Sequence, residues 1–216
     1  MIAKTLHFLS DAFDRSEYFK AHPAEKAYRF EHSCRVANIG RRIAAGEGLN
    51  VQNLTIGCLL HDLSYCMTFK DREDTRNHGR YSAKLARPFL QELGLSAPDI
   101  NEICYGIAIH VDDKADFDGE RTPLACSIGE ADNIDRFDAY RIYETLQMIK
   151  YDEMPLEDKA AHTQKVLKRL KALREEPFST QTGLSMWLEK LSFQTEFYER
   201  LDAQIRSSSL EPGGIQ

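Results

Sequence analysis

Apolar residues recur along most of this chain at helical spacing, and the gaps between runs hold residues that stop helices. Leu6, Leu9 and Phe13 stand at i, i+3 and i+7, which predicts a helix over about residues 4–20 that stops near Ala21-His22-Pro23. Residues 24–45 repeat the pattern through Tyr28, Val36, Ile39 and Ile43, with Gly46 and Gly48 as C-cap positions. A third helix runs from about Val51 through Asp62. Residues 64–76, with Lys70-Asp71-Arg72-Glu73-Asp74, read as a solvated loop. Helix is expected again from Asn77 to Leu93, bent or broken at Pro88 and ended by Gly94. Ser96 then caps a helix that carries Ile100, Ile103, Ile107 and Ile109. After an Asp-rich loop at 111–121, Thr122-Pro123 starts a helix that continues, with a bend through residues 132–136, toward Ile149.

The C-terminal part is read in the same way. Pro155 opens an amphipathic helix to about Glu175, and Glu176-Pro177 with Ser179-Thr180-Gln181-Thr182-Gly183 breaks it. A last helix spans about Leu184–Ile205, and residues 207–216 read as a frayed tail. No segment alternates with period two, and no internal repeat is present, so the fold class is all-α. The expected division is a helical domain over residues 1–150 and a C-terminal helical extension packed on it over residues 151–216. The stripes Leu156, Val166, Leu170, Leu173 and Leu184, Trp187, Leu188, Leu191 read as packing surfaces, with a homodimer interface or a lid as the functional alternatives.

Composition narrows the partners. A net charge of -6 argues against a duplex-binding surface, which needs a basic excess. The lysine-rich stretch Lys165, Lys168, Arg169 and Lys171 is framed by acids, so nucleic acid is not an expected partner. No apolar run reaches the roughly 18 residues that span a bilayer, and the N-terminal stretch meets Asp11 and Asp14 too soon for a signal peptide. Five cysteines, an odd number with no C-x-x-C pair, read as small core residues of a reducing compartment, which points to the cytoplasm.

The candidate chemistry lies in the histidines. His61 and Asp62 stand side by side at the end of the apolar run Ile56-Gly57-Cys58-Leu59-Leu60. A buried carboxylate in that place needs a compensating charge, and beside a His the simplest one is a metal ion. Of the seven histidines, His32 lies within a helix, His78 starts one after the charged loop, and His110 ends the run Ile107-Ala108-Ile109. Asp132 follows the core-like Leu124-Ala125-Cys126-Ser127-Ile128. Imidazole nitrogen with carboxylate oxygen suits iron, manganese, cobalt, nickel or zinc.

These residues resemble the HD-domain superfamily of metal-dependent phosphohydrolases. Its signature is a first His, a His-Asp doublet after an apolar helix and a distant Asp, all on a helical bundle. The matching positions are His32 in Glu31-His32-Ser33-Cys34-Arg35-Val36, the doublet His61-Asp62, and Asp132 in Glu130-Ala131-Asp132-Asn133-Ile134-Asp135. A subset of the family adds two histidines that bind a second metal, and His78 and His110 fit that subset in order and setting. The resemblance covers about residues 25–145. It implies a catalytic centre at His61, Asp62 and Asp132, a first metal on His32, His61, Asp62 and Asp132, and a second on His78 and His110 with Asp62 bridging. The ions implied are two divalent transition metals, iron or manganese first, with nickel, cobalt and zinc also compatible. Two such ions about 3.5–4 Å apart hold a bridging hydroxide that attacks phosphorus in line.

The expected reaction is hydrolysis of a phosphate ester or anhydride in a nucleotide or other small phosphorylated metabolite. Arg35, Lys114 and Arg136 are the candidate cations for that anionic substrate, each with a surface ion pair as the plainer alternative. Asp135 is read either as orienting a ligand or acting as base, or as an ion-pair partner of Arg136 or Arg141. The same resemblance admits a mixed-valent di-iron oxygenase on this ligand set, and a non-catalytic sensor as a third reading. The chain lacks the Gly-Tyr-Pro motif of the cyclic-di-GMP branch.

Overall fold

The computed structural model describes residues 1–209, and the regular structure among them is entirely helical. The α-helices are α1 (Ile2–Arg15), α2 (Glu17–Ala21), α3 (Pro23–Glu47), α4 (Val51–Leu60), α5 (Arg72–Arg76), α6 (His78–Glu92), α7 (Ala97–Ile109) and α8 (Pro123–Asp135), followed by α9 (Ala139–Met148), α10 (Leu156–Ala172) and α11 (Gln181–Arg206). They form two compact units. The first holds Met1–Asp135 and Phe178–Gly183; the second holds Arg136–Pro177 and the chain from Leu184 onward. Among the described residues, no helix is long and apolar enough to cross a membrane.

The first unit is built around α4. Its residues from Asn53 to Leu60 are all buried, as expected of a helix that is apolar on every face. α3 packs on α4 and α8, α7 packs on α6, α4 and α8, and α1 also packs on α4, so α1, α3, α6, α7 and α8 all touch the central helix. Two glycines allow the closest approaches. A Cβ at Gly106 would lie 2.6 Å from the backbone oxygen of Ala125, which brings α7 against α8. One at Gly79 would lie 2.8 Å from the carbonyl oxygens of both Ile107 and Ala108, which brings α6 against α7.

Several helix boundaries depart from the sequence pattern, each for a local reason. The helix expected over 4–20 is two, because Ser16 takes an extended conformation and its Oγ accepts from Phe19 N at 3.1 Å as an N-cap. The stretch read as a solvated loop at 64–76 contains a 3₁₀ turn at Leu63–Cys66 and the short α5. Asp71 starts α5 by accepting from the amides of Glu73 and Asp74, whose own acids suit the first turn. α6 runs through Pro88, which has no amide N–H to give to the carbonyl four residues earlier, on exposed Lys84.

The helix expected to bend toward Ile149 instead ends at Asp135. Asp138 holds φ at 99° and accepts from Ala139 N at 2.7 Å, which starts α9 afresh. Gln181, Thr182 and Gly183, read as part of a break, belong to α11 because Thr180 Oγ1 accepts from Gly183 N. Of the expected tail, Ser207 and Ser208 still donate backbone hydrogen bonds to α11, and residues 210–216 lie outside the described residues.

Residues 178–183 return to the first unit through carboxylates. Glu130 accepts from Ser179 N and Thr180 Oγ1, and Glu47 accepts from Thr182 N at 2.5 Å. In the second unit, Trp187 donates to Leu173 O at 2.9 Å and meets Phe137 edge to face, over a core that includes Leu170, Leu191 and Tyr198.

Candidate metal centre

Five helices of the first unit deliver side chains to one buried point. His32 comes from the middle of α3, His61 and Asp62 from the end of α4, His78 from the start of α6, His110 from the end of α7, and Asp132 from α8. His32, His61, Asp62, His78 and Asp132 are all 7% exposed or less, so no bulk water shields their charges. The ligand atoms fall into overlapping groups: His32, His61 and Asp62; His61, His110 and Asp132; Asp62, His78 and His110.

The local fold fixes how each imidazole faces. His61 Nδ1–H donates to Cys58 O at 2.7 Å, His110 Nδ1–H to Ile107 O at 2.7 Å, and His78 Nδ1–H to Thr75 O at 2.6 Å. Each bond satisfies a carbonyl that a helix end would leave without a partner. Each also assigns the proton to Nδ1 and leaves a lone pair on Nε2. His32 lies too far inside α3 for this device, and its Nδ1 donates instead to Asp135 Oδ2 at 2.8 Å. Arg35 Nε donates to the same carboxylate, at 3.0 and 3.2 Å from its two oxygens. Ser64 Oγ donates to the backbone oxygen of His78 at 2.8 Å and so fixes the α6 end of the site.

Four Nε2 atoms therefore converge. His61 and His32 come within 3.3 Å of each other, and His78 and His110 within 3.0 Å. Two lone pairs at that distance repel unless a proton or a metal lies between them. Asp62 stands between the two pairs. Its Oδ1 is 3.2 Å from His78 Nε2 and 3.7 Å from His110 Nε2, while its Oδ2 is 3.6 Å from His61 Nε2 and 3.7 Å from His32 Nε2. Asp132 Oδ1 lies on the His32 side, 3.1 Å from His32 Nε2 and 3.8 Å from that of His61. This His and Asp donor set is one that could hold divalent metal.

The electrostatics agree. Burial drives the His61 imidazole down to about 4, so it stays neutral. Burial acts in the same direction on His32, but hydrogen bonds to Asp132 and Asp135 lift it to about 9. Burial pushes the Asp62 carboxyl up, and the surrounding imidazoles with Arg29 outweigh it and hold the group well below the usual carboxylate range. The cluster thus favours positive charge at its centre.

The cations expected to meet substrate occupy different places. Arg35 is held behind the cluster on Asp135, and Lys114 is exposed in the loop after α7, where its carbonyl accepts from Arg80 at 2.9 Å. Arg136 is exposed and is the first residue of the second unit. A cation absent from the sequence-based set also reaches the cluster. Arg29 Nη1 donates to Asp62 Oδ2 at 2.9 Å, and its guanidinium lies 3.4 Å above the centre of the Tyr65 ring. Its spacing of three residues before His32 was the available signal, since i and i+3 share a helix face. Asp135 accepts from His32 Nδ1 and forms an ion pair with Arg35.

Residues 29–137 match the family model described as HD domain, a span that includes all six clustered side chains. A search of curated proteins gives no match. The chain is similar in structure to the crystal structure of a predicted HD superfamily hydrolase from an uncultured Thermotogales bacterium at 1.45 Å resolution. That likeness has a TM-score of 0.64 at 20% identity and covers 94% of this chain and 91% of that chain. At such identity it establishes a common fold.

Proposed function

We propose, from the premise that this chain belongs to the HD-domain family, that it hydrolyses a phosphate ester or anhydride in a nucleotide or other small phosphorylated metabolite. Two divalent metal ions, iron or manganese first, would be held by His32, His61, Asp62, His78, His110 and Asp132. The observation that carries this reading is the position of Asp62, which offers one oxygen to each imidazole pair. Bound there, the ions supply Lewis acidity toward a phosphoryl oxygen and lower the pKa of water toward neutrality.

The protein's own groups complete the site. The Nδ1 bonds of His61, His78 and His110 keep each Nε2 deprotonated and aimed inward, while Asp135 orients His32, whose Nε2 gives up its proton when metal binds. Arg29 is the group suited to an anionic substrate. Its Nε is buried with no hydrogen-bond partner among the described residues, and a buried donor left that way costs on the order of 1–3 kcal/mol. A phosphate oxygen relieves that cost and pairs with the fixed charge. The Tyr65 ring holds the guanidinium flat and limits its movement.

The test is an anaerobic preparation assayed with phosphate esters and nucleotides and then exposed to oxygen. The expected result is phosphate release that is unchanged by oxygen. Turnover that needs oxygen and releases no phosphate would replace this reading with the di-iron oxygenase one. A protein that binds no added Mn²⁺ or Fe²⁺ would revive the non-catalytic sensor.

A further inference from the structure

The second unit holds a concave surface of opposite sign to the chain as a whole. Lys168, Lys171 and Arg174 line a cleft of about 470 Å³, together with Gln164 on the same wall and Thr195 and Glu199 from α11. Residues 164, 168, 171 and 174 follow one face of α10 and the 3₁₀ turn after it, so their donors form a line about 15 Å long at helical rise. Neither Lys168 nor Lys171 has an ion-pair or hydrogen-bond partner among the described residues. Arg174 gives one nitrogen to Ser192 Oγ at 2.9 Å.

Lys165 and Arg169 on α10 are likewise without a partner among the described residues but lie outside the cleft lining, whereas the cations of α11 are paired. Arg200 pairs with Glu196 and Arg206 with Asp202, as an ordinary solvated helix face would. The C-terminal end of α10 favours lysines through its dipole, but that does not explain why they converge with Arg174 on a concavity that holds one carboxylate. The lining has no aromatic ring, so it offers no platform for stacked bases. Its size is within the range of small-molecule sites, and its line of cations suits several linked phosphates better than one.

We propose that this cleft binds a small polyphosphate-bearing anion, through residues none of which belongs to the metal cluster. The proposal does not depend on the reaction assigned to that cluster. The test is calorimetric titration of the full-length metal-loaded protein with inorganic tripolyphosphate at about 0.1 M salt, with orthophosphate as the weaker comparison. Lys168→Glu with Lys171→Glu should weaken tripolyphosphate binding at least tenfold and leave the metal content and the hydrolytic rate unchanged. Lys165→Glu with Arg169→Glu, the same charge change on α10 outside the cleft lining, should change affinity less than twofold.

Absence of binding to the unmodified protein would overturn the proposal. So would equal losses in both variants, which would mean unspecific attraction, or no loss in the first, which would place all binding elsewhere. If the first variant melts early, Lys168→Gln with Lys171→Gln replaces it, and the expected loss is then about threefold.

Discussion

Asp135→Asn separates the positioning of a ligand from the ligand itself. Asp135 is 6% exposed and touches the cluster through His32. Its Oδ2 accepts from His32 Nδ1 and, at 3.2 Å, from Arg35 Nε, while its Oδ1 accepts from Arg35 Nε at 3.0 Å. An asparagine has one acceptor oxygen. Placed toward His32, it turns its NH₂ donor against the Arg35 donor, so both the charge and the hydrogen-bond pattern are lost. Removing such an outer partner of a ligating histidine costs roughly 10- to 100-fold in metal affinity, or about 1.4–2.8 kcal/mol. The donor clash adds a stability loss of about 1–3 kcal/mol, because that buried pair no longer matches.

The assay is competition for metal against a chelator of known affinity, with near-ultraviolet dichroism to show that the variant is folded. The expected outcome is a loss of at least tenfold in affinity for the ion on the His32 side, with retention on the His78 side. A folded variant that binds both ions within twofold of the unmodified protein would refute the orienting role of Asp135.

Other outcomes follow from the same geometry. Asp62→Ala should abolish hydrolysis and lower occupancy at both sites, whereas His162→Ala, on α10 against Tyr151 and Tyr198, should do neither; lost metal in the latter would show the ligand assignment to be wrong. Gly79→Ala puts a Cβ 2.8 Å from two α7 carbonyls beside the His78–His110 pair, and should cost about 1–3 kcal/mol with weaker binding on that side, read by thermal melting and metal titration. His32, lifted to about 9 in the metal-free protein, is protonated at pH 7 and must release that proton to bind. Affinity on its side should therefore rise up to tenfold per pH unit below about 9 and level off above it; a pH-independent affinity between 6 and 8 would contradict this.

Much of the cluster was legible because each member is marked locally. His61-Asp62 and His110 end apolar runs, and such polar residues at the tip of a buried helix need a reason to be there. The helical class was legible from periodicity for the same reason, since burial of a stripe dominates these segments. What the pattern did not reveal depends on contacts distant in sequence or on single caps. Arg29 looks like an ordinary surface arginine on α3 until α4 brings Asp62 beside it. Asp71 and Asp138 look like loop acids, yet each starts a helix by accepting backbone amides. The Nδ1 bonds of His61, His78 and His110 use carbonyls three residues back, so they were encoded locally, but only the end of a helix or turn makes those carbonyls available.

The central claim is that Asp62 lies between two metal sites. Elemental analysis of the protein purified in the presence of manganese or iron, set against protein concentration, tests it most directly. The account predicts about two ions per chain, falling to about one in His78→Ala with His110→Ala and below one in Asp62→Ala. A single ion per chain that survives the His78 and His110 substitutions without loss would contradict it.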